Sequence, residues 1–218
     1  MSHALPGEPF PSLLVPLYYA EALLRRRGYE SLAREVASSV EGGRILELGS
    51  GPGLLSLELA RLSPRLEVVG VDPSPGMVRL ARRLSKGMED RVRFLVGGAY
   101  RLPFPPSSFD MVVSLGVLHH LLDLPRALEE VRRVLKPEGE AWFYEVVMDA
   151  EPEEVVKTMR ELGIPLFPFL PLFLLERGLA VKAGRRLVGL RRDDFKRGVL
   201  IRCWVERRGA LWKVVIRK

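Results

Sequence analysis

Two spacings of apolar residues alternate along the chain, short continuous runs and helical stripes, and this alternation predicts an α/β order. Over residues 16–27, Leu17, Ala20 and Leu24 recur at helical spacing, and Gly28 closes the segment. A second helix follows, with Leu32, Val36 and Val40 as its stripe and Gly42 and Gly43 as its stop. Apolar runs at 45–48, 66–71, 92–96, 109–115 and 141–147 then fit buried strands. Leu54, Leu57, Leu59 and Ala60 mark the helix after the first strand. Ser74 can cap, and Pro75 can start, a helix that buries Met77, Leu80 or Ala81, and Leu84. Asp123 caps a helix with Leu128, Val131 and Leu135 on one face, stopped by Lys136-Pro137-Glu138-Gly139. A helix over 151–162 turns Val155, Met159 and Leu162 inward and ends at Gly163. Two β-prone runs, 199–207 and 210–217, meet at Arg208-Gly209 and predict a closing hairpin.

The order pivots on residues 45–53, ILELGSGPG. Gly49, Gly51 and Gly53, with only Ser50 and Pro52 between them, turn the chain sharply and let a bound molecule lie against bare backbone. The first N–H groups of the next helix face that turn. Asp72 ends the second strand, the place where a βαβ unit puts an acid for a ribose hydroxyl pair. A glycine-rich turn by itself also serves plain strand–helix packing or the binding of NAD, FAD or another nucleotide. Dinucleotide folds prefer G-x-G-x-x-G, however, and this chain has G-x-G-x-G with Glu47 inside the strand, two residues before the first glycine.

That glycine spacing and acid resemble motif I of the class I S-adenosylmethionine-dependent methyltransferases. The resemblance implies that Glu47 and the backbone of Gly49, Ser50, Gly51 and Gly53 hold the methionine end of S-adenosylmethionine, and that Asp72, with Pro73 beside it, holds the ribose. It places Met77 on the adenine ring; the alternative is an ordinary core residue. Residues 97–110, GGAYRLPFPPSSFD, resemble the family segment that runs from L-P-F through a proline-rich link to F-D, and add Ala99 and Tyr100 to the cofactor contacts. Ser114 and Leu115, at the end of the fourth strand, join them beside the turn. Two departures stand out: Gly98 occupies a position where many relatives carry an acid for the adenine amino group, and Glu140 replaces a second glycine. The implied fold is a Rossmann-like, doubly wound, seven-stranded sheet, mostly parallel with a C-terminal antiparallel hairpin. The expected organisation is a single domain over 1–218, with 1–41 as a helical cap and 149–197 as a variable insertion on the substrate side.

Composition narrows the setting. The chain has 218 residues, one cysteine and three histidines, so no disulfide framework or cysteine metal cluster is expected, and no metal site. No apolar run is long enough to span a bilayer and no leader is evident, which predicts a cytoplasmic protein. Asn and Gln are absent and Arg is abundant, a bias expected of a thermophilic source. The net charge of +7 (34 basic minus 27 acidic) fits either a solvated, Arg-rich surface or affinity for RNA.

Methyl transfer from a sulfonium needs alignment above all, and an alcohol, phenol or acidic carbon acceptor also needs a base. His119 is the first candidate base, or else a packing residue at a helix start; Tyr144 and Glu145 follow. Tyr18 and Tyr19 in the cap, His120 and Phe167 are candidate substrate contacts, the tyrosines having cap packing as the alternative. Phe167 belongs to 164–175, where Leu, Phe and Pro alternate; this is either an apolar lid or substrate channel, or a segment buried on the protein's own core. The pattern N-P-P-Y or D-P-P-Y is absent after the fourth strand, which argues against amino-group methylation of adenine and glutamine. A small, apolar acceptor is the leading expectation. RNA as the acceptor, a non-catalytic cofactor-binding module and, last, a nicotinamide-dependent reductase are the alternatives.

Overall fold

The computed structural model describes residues 12–146, 151–165, 202–208 and 210–218. The chain forms a seven-stranded sheet of order β3-β2-β1-β4-β5-β7-β6. The strands are β1 (Gly43–Leu48), β2 (Leu66–Asp72), β3 (Val92–Val96), β4 (Phe109–Leu115), β5 (Leu135–Val146), β6 (Arg202–Arg208) and β7 (Leu211–Arg217). β1 to β5 pair in parallel, while β7 lies antiparallel to both β5 and β6. The order reverses between β1 and β4, which opens a crevice at the carboxyl ends of those two strands.

Both faces of the sheet are covered, so adjacent residues of one strand enter different cores. Ile45 packs with Leu32, Val36, Leu55, Val68, Met111 and Tyr144, whereas Leu46 packs with Val69, Val112, Leu128, Val131 and Phe143. The first core lies under α2 (Arg26–Ser39), α3 (Leu54–Leu62) and α4 (Pro75–Leu84); the second lies under α5 (Leu124–Val134). The expected caps form: Ser74 Oγ accepts from Met77 N at 3.5 Å, and Asp123 Oδ1 accepts from Arg126 N at 3.1 Å.

Three expectations need correction. The first helix, α1 (Val15–Leu24), buries Val15 and Ala22 and leaves Leu17 70% exposed. Its sequence, VPLYYAEALL, is apolar on nearly every side, so spacing alone did not choose the inward stripe. Gly28 does not stop this helix. The break falls at Arg25, and Gly28 lies inside α2, where a Cβ would stand 3.2 Å from Ile164 Cδ1. The fifth strand begins at Leu135, not at Ala141: Leu135 pairs with Phe109, the register then shifts, and Glu140 pairs with Met111. The lysine of the intervening Lys136-Pro137-Glu138-Gly139 explains why this stretch follows the strand, since Lys136 Nζ donates to both Asp110 oxygens at 2.8 and 2.9 Å.

Among the described residues no helix is long and apolar enough to cross a membrane, and no cluster of His, Cys, Asp and Glu is suited to a metal ion. α6 (Pro152–Glu161) follows β5, and the hairpin of β6 and β7 forms as its sequence predicts. Phe167, most of 164–175 and most of the 149–197 insertion lie outside the described residues, as do the side chains of His119 and Cys203.

Candidate functional site

The turn after β1 is held from below. Gly49 N and Ser50 N both donate to Val71 O on β2, at 2.8 and 3.0 Å, and Gly53 N donates to Ser50 O at 2.8 Å. Gly53 has φ +81, and any Cβ there would stand 2.4 Å from Phe94 Cζ, so only glycine closes this turn onto β3. α3 starts at once, with no side chain at its own N-cap position to satisfy its N–H groups.

Glu47 does that work from the strand. It is 3% exposed, and its Oε2 accepts from Ser56 N at 2.9 Å and from Ser56 Oγ. Burial pushes its carboxyl up to about 8 against the two Ser56 hydrogen bonds, which favour the charged form, while nearby Asp72 adds to the rise. Only its place in the first turn of α3 could have pointed to Ser56 in advance. A cation brought beside it would favour the ionised form.

Asp72 closes the turn from the side. Its Oδ2 accepts from Gly51 N and its Oδ1 from Ser74 N, each at 2.8 Å, and burial raises its carboxyl above the ordinary range. Each oxygen keeps a second lone pair, which is what a vicinal diol requires. Pro73 beside it is exposed, and Met77 is 3% exposed in the first turn of α4. The Ser50 hydroxyl is buried without a hydrogen-bond partner among the described residues. A buried carboxyl, a diol-ready carboxylate and an orphaned hydroxyl on one glycine turn fit S-adenosylmethionine.

The cap reaches this turn. A Cβ on Gly51 would meet Tyr18 Cε1 at 3.7 Å, and one on Gly76 would meet Ser12 Oγ at 2.9 Å and Val15 Cγ2 at 3.1 Å. Tyr18 and Tyr19 are both half-buried. Ala99 is 7% exposed in the second core, and the Tyr100 hydroxyl accepts from Leu122 N and Asp123 N at 2.7 and 3.2 Å, which anchors the approach to α5.

At the end of β4, Ser114 Oγ donates to Leu48 O at 2.9 Å and ties β4 to β1; Leu115 is half-buried. Gly116 N donates to Tyr144 O at 2.8 Å. Glu145, 2% exposed, accepts from Val117 N and Leu118 N through one oxygen, Oε1, at 2.7 and 2.6 Å. Those bonds fix the 3₁₀ turn Leu118–His120, so the structure places Glu145 as the holder of the histidine turn. His120 is exposed on that turn. Tyr144 is 1% exposed and lines a cavity of about 140 Å³ with Leu32, Glu35, Thr158 and Lys213, between α2, α6 and β7. The structure thus gathers Glu47, the glycines, Ser50, Asp72 and Tyr18 around one turn, leaves Met77 in the first turn of α4, and puts Tyr144 and Tyr100 elsewhere.

Residues 46–143 match the family described as methyltransferase domain. The demethylmenaquinone methyltransferase of Thermus thermophilus is 41% identical over 120 residues, which cover 55% of this chain and 52% of that protein. A malonyl-[acyl-carrier protein] O-methyltransferase of Geobacter sulfurreducens is 40% identical over 124 residues, 56% of this chain and 46% of its own length. The chain spans about half the length of the curated relatives it matches. A SAM-dependent methyltransferase from Aquifex aeolicus has the same fold at a TM-score of 0.63 and 17% identity, over 95% of this chain and 98% of that one. A candidate S-adenosyl-L-methionine-dependent methyltransferase of Methanococcus maripaludis aligns over 100% of this chain and 97% of its own, with a TM-score of 0.70 and 18% identity. The glycine turn, Glu47 and Asp72 lie within the span that matches a methyltransferase domain, and the sheet has the fold of S-adenosylmethionine-dependent methyltransferases.

Proposed function

We propose that this protein transfers a methyl group from S-adenosylmethionine to a small acceptor, preferably an apolar one such as a quinone-like ring or a lipid. The observation that carries the reading is Asp72, fixed by Gly51 N and Ser74 N at the edge of a turn whose buried Glu47 has no ion-pair partner among the described residues. Bound there, S-adenosylmethionine supplies a methyl group on a positively charged sulfur that departs as a neutral thioether, so the protein's task is alignment. Glu47 takes the cofactor's ammonium, Asp72 its ribose hydroxyls, and the bare backbone of the glycine turn lets it lie close. Glu145 holds the turn Leu118–His120 on the acceptor side, and a histidine of this turn is the proposed base for an acceptor that must lose a proton. The apolar acceptor is favoured by the Leu, Phe and Pro of 164–175 and by the Thermus thermophilus relative, named for demethylmenaquinone. The reading carries with it a cytoplasmic setting, a thermophilic source and a single domain with residues 1–41 as cap and 149–197 as the acceptor-side insertion.

Calorimetric titration with S-adenosylmethionine, S-adenosylhomocysteine and NADH tests the cofactor, with Asp72→Ala as control. Binding of the first two, lost in the variant, is expected; binding of NADH alone would overturn the reading. A labelled-methyl panel of hydroquinones, acyl esters and RNA then tests the acceptor. Label in the hydroquinones is expected, and label in RNA alone would replace the small-molecule reading.

A further inference from the structure

Arg25 sits at the break between α1 and α2. Its guanidinium is paired with Glu21 one helical turn back and lies 5.8 Å from the centre of the Tyr18 ring. Tyr18 in turn reaches within 3.7 Å of where a Gly51 Cβ would be, so the ring bridges from Arg25 to the turn itself. Tyr29, one turn further along α2 and 8% exposed, receives a backbone bond from this bend: its N–H donates to Arg25 O at 3.3 Å. Burial raises the Tyr29 phenol, with the Arg25 guanidinium working against the rise and Tyr18, Glu47 and Glu21 adding to it. These groups therefore share one partly desolvated patch beside the turn.

The methionine end of the cofactor is a zwitterion. Glu47 answers its ammonium, and an α-carboxylate brought into the same patch needs a cation and donors in a planar fork, which is what a guanidinium offers. The inference rests on the cofactor site proposed above. We propose that Arg25 recognises the α-carboxylate of the cofactor, and that Glu21 holds the guanidinium in place and competes for it until the cofactor arrives. The cap then becomes a selective part of the site: it distinguishes the full amino acid from a truncated one.

Three ligands isolate this role in calorimetric titrations of the full chain: S-adenosylhomocysteine, its decarboxylated analogue 5′-(3-aminopropylthio)-5′-deoxyadenosine, and 5′-methylthioadenosine. Wild type is expected to favour the first over the second by about 10- to 100-fold, the range of a charge-assisted hydrogen-bond pair. Arg25→Ala should erase that preference while leaving methylthioadenosine affinity as it was; Arg25→Lys, which keeps charge but not the fork, should keep part of it. Glu21→Gln should tighten S-adenosylhomocysteine and leave the decarboxylated analogue unchanged. Retained preference in Arg25→Ala overturns the assignment. Equal loss of all three ligands in that variant also overturns it, since Arg25 would then only hold the cap. Wild type that binds none of the three would sink the cofactor reading itself, a different failure.

Discussion

The two sides of the crevice use their carboxylates differently. At the ends of β1 and β2, Asp72 and Glu47 each secure nearby backbone and keep capacity for a ligand: Asp72 spans Gly51 and Ser74, and Glu47 caps α3 through Ser56. At the ends of β4 and β5, Glu145 spends one oxygen on Val117 and Leu118 and shapes a turn whose His120 faces solvent. The side proposed for the cofactor is thus built from buried carboxyls held by local geometry. On the side proposed for the acceptor, the described residues contribute backbone donors and the Leu118–His120 turn. A common reagent can be met by a fixed site, whereas an acceptor that varies is met by segments that vary.

If the cofactor side is the rigid half, Asp72 is where it breaks most. Asp72→Ala leaves two largely buried N–H groups without their acceptor, at about 1 to 3 kcal/mol each, and removes the ribose contact. The expected result is a lower melting temperature together with a loss of S-adenosylhomocysteine affinity of at least about 100-fold. A variant that melts early yet binds normally would mean that Asp72 serves the turn alone.

Glu145 sharpens the contrast. Glu145→Ala should destabilise the Leu118–His120 turn and lower kcat, while Glu145→Gln, which retains a carbonyl oxygen for Val117 N and Leu118 N, should recover most of both. Were Glu145 a base, the two variants would be equally inactive. Thermal melts beside single-turnover rates separate the outcomes.

This difference also governs what could be seen in advance. The strands, the glycine turn, Glu47 and Asp72 were legible because each depends on short-range rules: apolar runs, glycine spacing and an acid at a strand end. Less visible were contacts that only tertiary packing creates, such as Gly28 against Ile164 or Lys136 against Asp110. The α1 stripe failed because a helix apolar on most sides offers several faces, and the neighbouring α2 decides among them. Equally hidden was that one Glu145 oxygen accepts from two backbone donors 27 and 28 residues away.

The raised Glu47 carboxyl gives the cofactor side a pH signature. A carboxyl whose folded value rises from 4.5 to about 8 stabilises the fold fully only below the ordinary value, and that contribution is lost as pH rises through about 8. The cofactor's ammonium prefers the ionised form, so binding below that pH releases a proton. Affinity should therefore increase roughly tenfold from pH 6 to pH 7 and level off above about 8. Calorimetry in buffers of different ionisation enthalpy counts the proton directly, and Glu47→Gln should abolish the dependence. A flat profile in wild type would mean that the buried anion does not face the ammonium.

Gly98 is the mildest test, because it asks whether the cofactor side lacks one contact rather than whether it exists. The residue is exposed, its φ lies outside the left-handed region, and a Cβ there meets nothing within 4 Å. A side chain can therefore be added without strain, unlike at Gly53, where Phe94 blocks it. Gly98→Asp restores the acid that resembles the family's adenine contact. Because the position is open to water, the gain should be near the low end for a charged hydrogen bond, about 1.5 kcal/mol or roughly tenfold in S-adenosylhomocysteine affinity. The gain should vanish with an analogue dimethylated on the adenine amino group, which has no N–H left to donate. An unchanged affinity would mean that the loop after β3 holds the ring by packing, with Met77 and Ala99 as its walls, and that the glycine costs the site nothing.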